Sequence, residues 1–365
     1  MFYEFLAQVI SLVGGNLYFI LGPCFFYLTY FTINMLWNSN VSIVSSASNY
    51  AGKQRVHDGE VPRLGGLVLF AYFAVLAFFS GTINYQEEQQ LSIICLVPMM
   101  IVIVKEDLLH NVDYRLRFCA LTLSVILLLT FAVDSFPVVE NLYLITNLFE
   151  IPAFNFIFYA LCLVGLANGF NFIDGMNGLL AFYTLGALVC CLQLAFFVGD
   201  HLMAQLIVLY LFATVCFTLL NFPFGKVFMG DAGAYMMGLL LGIWVIKFFA
   251  TYDTISSWNA GLIFFYPIIE VTYSFIRKLI QHKSPFEPDR EHLHLKVFDI
   301  LNTATKKPKL SNNLTTVFVS LFWMAPPLLL PLVYDQQLLV FLALTLLTIT
   351  YLTINFVIPE ETAYT

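Results

Sequence analysis

Apolar stretches about as long as a bilayer is thick recur along this chain, and few folds can accommodate them. Candidate runs lie at 15–37, 64–82, 90–104, 118–134, 152–168, 178–198, 203–220, 235–250, 259–276, 316–333 and 337–358. A helix rising 1.5 Å per residue needs ~20 such residues to cross the hydrocarbon layer. The runs are continuously apolar rather than alternating, which favours helices over barrel strands. Only 11% of the 365 residues are charged, against roughly 25% in a soluble domain. The expectation is an all-α, polytopic integral membrane bundle of about eleven transmembrane helices. It reads as a single domain over 1–365, ending in a helix pair at 316–358.

Lys and Arg give the orientation. Numbering the connections between runs in order, the first, third, fifth, seventh and ninth hold 13 of the 16 basic residues, and Arg277 and Lys278 close run nine on the same side. Only Lys247 dissents. The positive-inside rule then puts this face in the cytoplasm, the N-terminus outside and the C-terminus cytoplasmic. The opening "MFYEFLAQVI" has no basic n-region or small-residue cleavage site and reads as the lead-in to a retained span. A net charge of −7 argues against nucleic acid as a partner. The seven cysteines lie in apolar runs without a CxxC pair, as packing residues do.

The polar inserts all fall on the basic face: "KQRVHDGEVPRLGG" (53–66), "KEDLLHNVDYRLR" (105–117), "NGFNFIDGMNG" (168–178), "NFPFGKVFMGDAGA" (221–234) and "HKSPFEPDREHLHLK" (282–296). One-sided chemistry suits a surface enzyme better than a transporter, which keeps ionisable groups near mid-membrane. Glu106, Asp107, Asp174 and Asp231 each stand at the end of a run. Singly, each reads as a solvated loop residue. Brought together they would repel and raise one another's pKa values, and a divalent cation with hard oxygen ligands would relieve this. Gly175 and Gly178 flank Asn177, and Gly230 and Gly233 flank Asp231, as in helix-capping turns or close backbone approach to a ligand. His292 and His294, with Arg290 beside them, suit a phosphate. Asp289 and Glu291 are expected to pair within that loop.

The blocks "VPRLGG", "EDL", "NGFNFIDGMNGLL", "KVFMGDAGA" and "SPFEPDREHLH" resemble the polyprenyl-phosphate N-acetylhexosamine-1-phosphate transferase superfamily, in order and position, over roughly 53–300. The resemblance implies a multi-pass enzyme of the bacterial inner membrane with its active site facing the cytoplasm. It would transfer a sugar-1-phosphate from a UDP-sugar donor to a polyprenyl phosphate acceptor, with Mg²⁺ (Mn²⁺ as an alternative) as cofactor. By position, Asp231, Asp174 and Asp107 would be metal ligands, with Asp231 the principal one. Glu106, His292 and His294 would complete the catalytic set. Asn171, Gly175, Met176, Asn177, Asn221 and Phe228 would hold the nucleotide, and Lys53, Arg55, His57 and Arg290 the phosphates. A homodimer is compatible with this.

Three positions depart from the family pattern. The acidic pair is Glu106-Asp107 rather than Asp-Asp, Asn177 stands where Asp is common, and Leu295 replaces a further histidine. The last departure points to the hexosamine branch that serves O-antigen, capsule or related polysaccharides. The alternatives are a transporter or flippase, for which Glu270 and Lys247 are the candidate intramembrane charges, and a non-catalytic envelope-assembly protein.

Overall fold

The computed structural model describes residues 23–24, 27–31, 35, 61–79, 86–139, 146–284, 290–328, 330 and 333–358. From residue 65 onward the described residues form helices only: α1 (Gly65–Phe79), α2 (Gln86–Leu109), α3 (Tyr114–Phe131), a 3-10 turn (Thr146–Glu150), α4 (Pro152–Ile173), α5 (Leu179–Val198), α6 (His201–Asn221), α7 (Gly230–Thr251), α8 (Asn259–Ile263), α9 (Phe265–Ile280), α10 (Leu293–Thr305), α11 (Pro308–Leu328) and α12 (Gln337–Val357).

Six of these, α3 to α7 and α12, are long and apolar enough to cross a membrane by length and composition. By that measure eleven is not reached among the described residues. The run at 15–37 lies mostly outside them, and α1 is only 15 residues long. The run at 259–276 is broken into α8 and α9. Pro267 explains the break, because it lacks an N–H and its ring crowds the carbonyl four residues back, that of Ile263. The Tyr183 hydroxyl donates to that freed carbonyl at 2.9 Å.

Helix α7 is the axis of the bundle. Nearly every residue from Gly230 to Phe249 is buried, and α1, α2 and α4 pack around it. Lipid supplies little hydrophobic drive between helices, so contact depends on small residues that let backbones approach. Gly66 of α1 meets Gly233 of α7 so closely that a Cβ on either would overlap the other's Cα, and a Cβ on Gly238 would lie 3.0 Å from the Cα of Ala167 in α4. Helix α9 is amphipathic in the inverted sense, with polar residues inside and apolar ones outside. Glu270, Ser274, Arg277 and Lys278 are buried, whereas Ile268, Phe275, Ile276, Leu279 and Ile280 are exposed. Lys247, the dissenting cation, is paired with Glu88 of α2. Cys95, Cys190, Cys191 and Cys216 are buried, but Cys24, Cys119 and Cys162 are exposed rather than packed in the core.

Candidate active site

Helix α7 begins without a capping side chain from its own sequence, since Met229 at its N-cap position makes no side-chain bond. An uncapped helix start leaves backbone N–H groups and a partial positive charge. Two other helices supply the acceptors. Asp107, in the last turn of α2 beyond its apolar stretch, accepts from Asp231 N and Ala232 N at 3.0 Å each. Asp174, just past α4, accepts from Gly230 N. Gly230 has φ +77°, and a Cβ there would lie 2.6 Å from the Arg63 carbonyl and 2.8 Å from an Asp107 oxygen.

Asp231 occupies the first turn of α7 and projects its carboxylate beside this cap. Its oxygens face Arg63 Nη2 at 3.4 Å and Arg117 Nη1 at 3.5 Å. Arg117 also faces Glu106 at 3.6 Å, and the other Glu106 oxygen accepts from Val112 N at 2.8 Å. Burial, then the nearby Asp231, push Asp107 up to about 7, while Arg63 and the two N–H donors oppose this. Asp174 is also held well above the usual carboxylate range, by burial and then by Asp231 and Asp107, against the pull of Arg63.

These acids therefore converge, as expected from the sequence. No three His, Cys, Asp or Glu side chains among the described residues make a group that could hold a metal ion on its own. The donor set is hard oxygen. That suits Mg²⁺, which is usually held by one or two carboxylates with water and substrate phosphates rather than by an all-protein cage.

The turn 174–178 forms the next wall. Gly178, with φ +83°, starts α5, and its N–H donates to the Asn221 amide oxygen. The Asn221 amide nitrogen donates to Val227 O at 2.7 Å. Asn221, expected to hold nucleotide, thus joins the 174–178 turn to the 221–227 loop through both ends of its amide. Asn177 is held by its backbone. Its N–H donates to Asn312 Oδ1 at 3.0 Å, and its carbonyl accepts from Thr316 Oγ1 at 2.7 Å. The Asn177 side-chain oxygen is buried with no hydrogen-bond partner among the described residues. Met176 is buried, Gly175, Asn171 and Phe228 are partly buried, and Phe228 N donates to Pro62 O at 3.0 Å.

The histidines complete the group. His292 sits at the N-cap of α10, and His294 lies within its first turn. Their rings stack with centroids 5.7 Å apart. His294 packs its Nε2 against Gly175, where any Cβ would overlap it. Burial pulls His294 down to about 4, so it is neutral at pH 7. The expected pairing within the loop involves Asp289, outside the described residues; the described acid and base of the loop also pair across elements. Glu291 pairs with Arg277 of α9, and Arg290 with Asp299 of α10 at 2.8 Å. Asp289, like Lys53, Arg55 and His57, lies outside the described residues.

Arg63 and Arg117 enter the sequence reading only as topology markers, although both lie in its polar inserts. The structure puts them against the acids. Glu270 enters only as a transport candidate, and the structure puts it behind His292.

Residues 89–249 match the model of glycosyl transferase family 4, a segment that includes Asp107, Asp174 and Asp231 and stops before the histidines. The chain is similar to a probable undecaprenyl-phosphate N-acetylglucosaminyl 1-phosphate transferase of Bacillus subtilis (strain 168), with 26% identity over 70% of each chain. It is similar to an undecaprenyl-phosphate alpha-N-acetylglucosaminyl 1-phosphate transferase of Thermotoga maritima, with 30% identity over 38% of this chain and 41% of the relative. It is also similar to a phospho-N-acetylmuramoyl-pentapeptide-transferase of Leuconostoc mesenteroides, with 28% identity over 50% of this chain and 60% of the relative. The family resemblance carried by the motifs is borne out.

Proposed function

We infer the reaction from the premise that residues 89–249 are a glycosyl transferase family 4 segment: the chain transfers a sugar-1-phosphate to a polyprenyl phosphate. The donor is a UDP-sugar, an N-acetylhexosamine in our reading, and the product starts a lipid-linked envelope glycan such as O-antigen. An oxygen of the lipid phosphate forms a bond to the β-phosphorus, the bond from that phosphorus to the bridging oxygen breaks, and UMP leaves. A phosphate monoester is already a competent nucleophile, so no side chain has to act as base. The barrier is repulsion between two anions, which positioned positive charge reduces.

The observation that carries this reading is the convergence of Asp107, Asp174 and Asp231 on the start of α7, opposite Arg63 and Arg117. The two guanidiniums can receive phosphate oxygens. We propose Mg²⁺, with Mn²⁺ as substitute, held by Asp231 with Asp174 and Asp107, and supplying charge neutralisation when bound. The 174–178 turn, with the Asn177 oxygen that has no partner among the described residues, is proposed to receive the uracil. The eleven-span topology, outside N-terminus, cytoplasmic active face and inner-membrane location remain part of the proposal, supported by the basic bias. Transport is disfavoured because both intramembrane candidates are paired inside the protein, Glu270 with His292 and Lys247 with Glu88.

Purified protein incubated with UDP-sugars, undecaprenyl phosphate and Mg²⁺ should release UMP and form a lipid-linked sugar diphosphate. No UMP with any UDP-N-acetylhexosamine would overturn the reaction.

A further inference from the structure

Glu270 is a buried acid on a helix whose exposed face is apolar. It is 1% exposed, in a helix whose outer face is Ile268, Phe275, Ile276, Leu279 and Ile280. A carboxylate so buried is costly unless its oxygens are occupied by donors. Both are. One oxygen lies 3.0 Å from His292 Nδ1, and the other accepts from Leu293 N at 3.2 Å. The second bond matters as much as the first, because α10 begins at His292 with no side-chain cap of its own. One carboxylate therefore holds both the ring of His292 and the backbone that carries it.

We propose that Glu270 is a positioning residue for His292, the two forming a buried carboxylate–imidazole dyad at the active site. An ionised carboxylate can only accept, so Nδ1 must carry the proton. The ring then meets a phosphate or leaving oxygen through Nε2, with its orientation fixed by the carboxylate behind it. Phe172 of α4 flanks the ring at 4.9 Å and limits its rotation. The neighbouring histidine is built differently. His294 Nδ1 lies 3.4 Å from the Tyr266 hydroxyl, its Nε2 abuts Gly175, and it stays neutral. Of the two histidines, His292 is the one oriented by a carboxylate. His294 shapes the 174–178 turn.

The dyad's role in turnover rests on the transferase reading, and the experiment separates the two. In protein labelled with ¹⁵N-histidine, the His292 resonances should report Nδ1–H, and Glu270→Gln should shift them. In the same variant, kcat for UMP release should fall roughly 10- to 100-fold, as when a group orienting an active-site histidine is lost, while the lipid-phosphate KM changes less than about threefold. Glu270→Asp should recover part of kcat. A His292 ring protonated only on Nε2 in the parent overturns the proposal without any variant having to fold. So does a Glu270→Gln protein with parental kcat and unshifted resonances. A parent that releases no UMP sinks the reaction, while its tautomer still tests the dyad.

Discussion

Asp107 and Asp231 are both acids of the site, yet substitution should separate them. Among the described residues the Asp231 carboxylate makes long contacts, 3.4 and 3.5 Å, to two guanidiniums. Asp231→Asn should therefore leave thermal stability in detergent within about 1 kcal/mol, while turnover falls by orders of magnitude. Asp107→Ala removes the acceptor for two N–H groups of α7, and should also cost about 1–2 kcal/mol of stability, the scale of a lost helix cap. Equal stability losses in the two variants would contradict this division. The Asp107 charge has a pH signature as well. Its folded pKa of about 7 lies above the ordinary 3.8, so its contribution to stability is full below about pH 4 and is lost as pH rises through about 7. Asp107→Asn, neutral throughout, should flatten that part of the metal-free stability profile in EDTA. An unchanged slope would show that Asp107 is ionised well below 7.

Asn221 makes the same point with a neutral side chain. Replacing it with Leu strands Gly178 N and Val227 O, and each buried unpaired group costs about 1–3 kcal/mol. Asn221→Leu should be unstable as well as inactive. Asn177→Leu should instead keep its stability, because Asn312 and Thr316 hold its backbone, and lose UDP-sugar affinity. If Asn177→Leu binds donor as well as the parent does, the uracil assignment of this turn fails.

Between elements, the crossing of α1 and α7 sets the distance from Arg63 to Asp231. Arg63 precedes α1 by two residues, and Gly65 N and Gly66 N donate to the carbonyls of Phe228 and Met229 at 2.9 and 2.8 Å. Gly233→Val would wedge the helices apart at Gly66. Overpacking of this kind costs about 1–3 kcal/mol, and turnover should fall further than stability because the guanidinium moves with α1. Thermal unfolding and UMP release measured on one preparation give both numbers. Helix α9 illustrates a different dependence. Its apolar pattern reads as the end of one long span over 259–276, but Pro267 breaks it, and Tyr183 of α5 takes the freed Ile263 carbonyl.

Across the described residues, helices run so that the described parts of the polar inserts meet at one end. The far ends of α2 and α7 are joined by Glu88 and Lys247, so the two helices that carry Asp107 and Asp231 are tied at both ends. A reporter joined after Thr365 should be active in the cytoplasm, and activity confined to the periplasm would reverse the orientation.

The sequence alone determined the features that depend on neighbours along the chain: the apolar runs, their helical form, the basic face, and the blocks that identify the family. Bilayer thickness and backbone hydrogen bonding impose those locally. It also placed Asp107, Asp174 and Asp231 each at the end of an apolar run. Only the tertiary structure decided how each acid is used. Asp107 meets the start of α7 across 124 residues of chain, Asn221 reaches Gly178 across 43, and Glu270 reaches His292 across 22, onto a different helix. Such partners are chosen by which helix faces touch, and the small residues that let α1, α4 and α7 approach set those faces. No pattern along a single run encodes them.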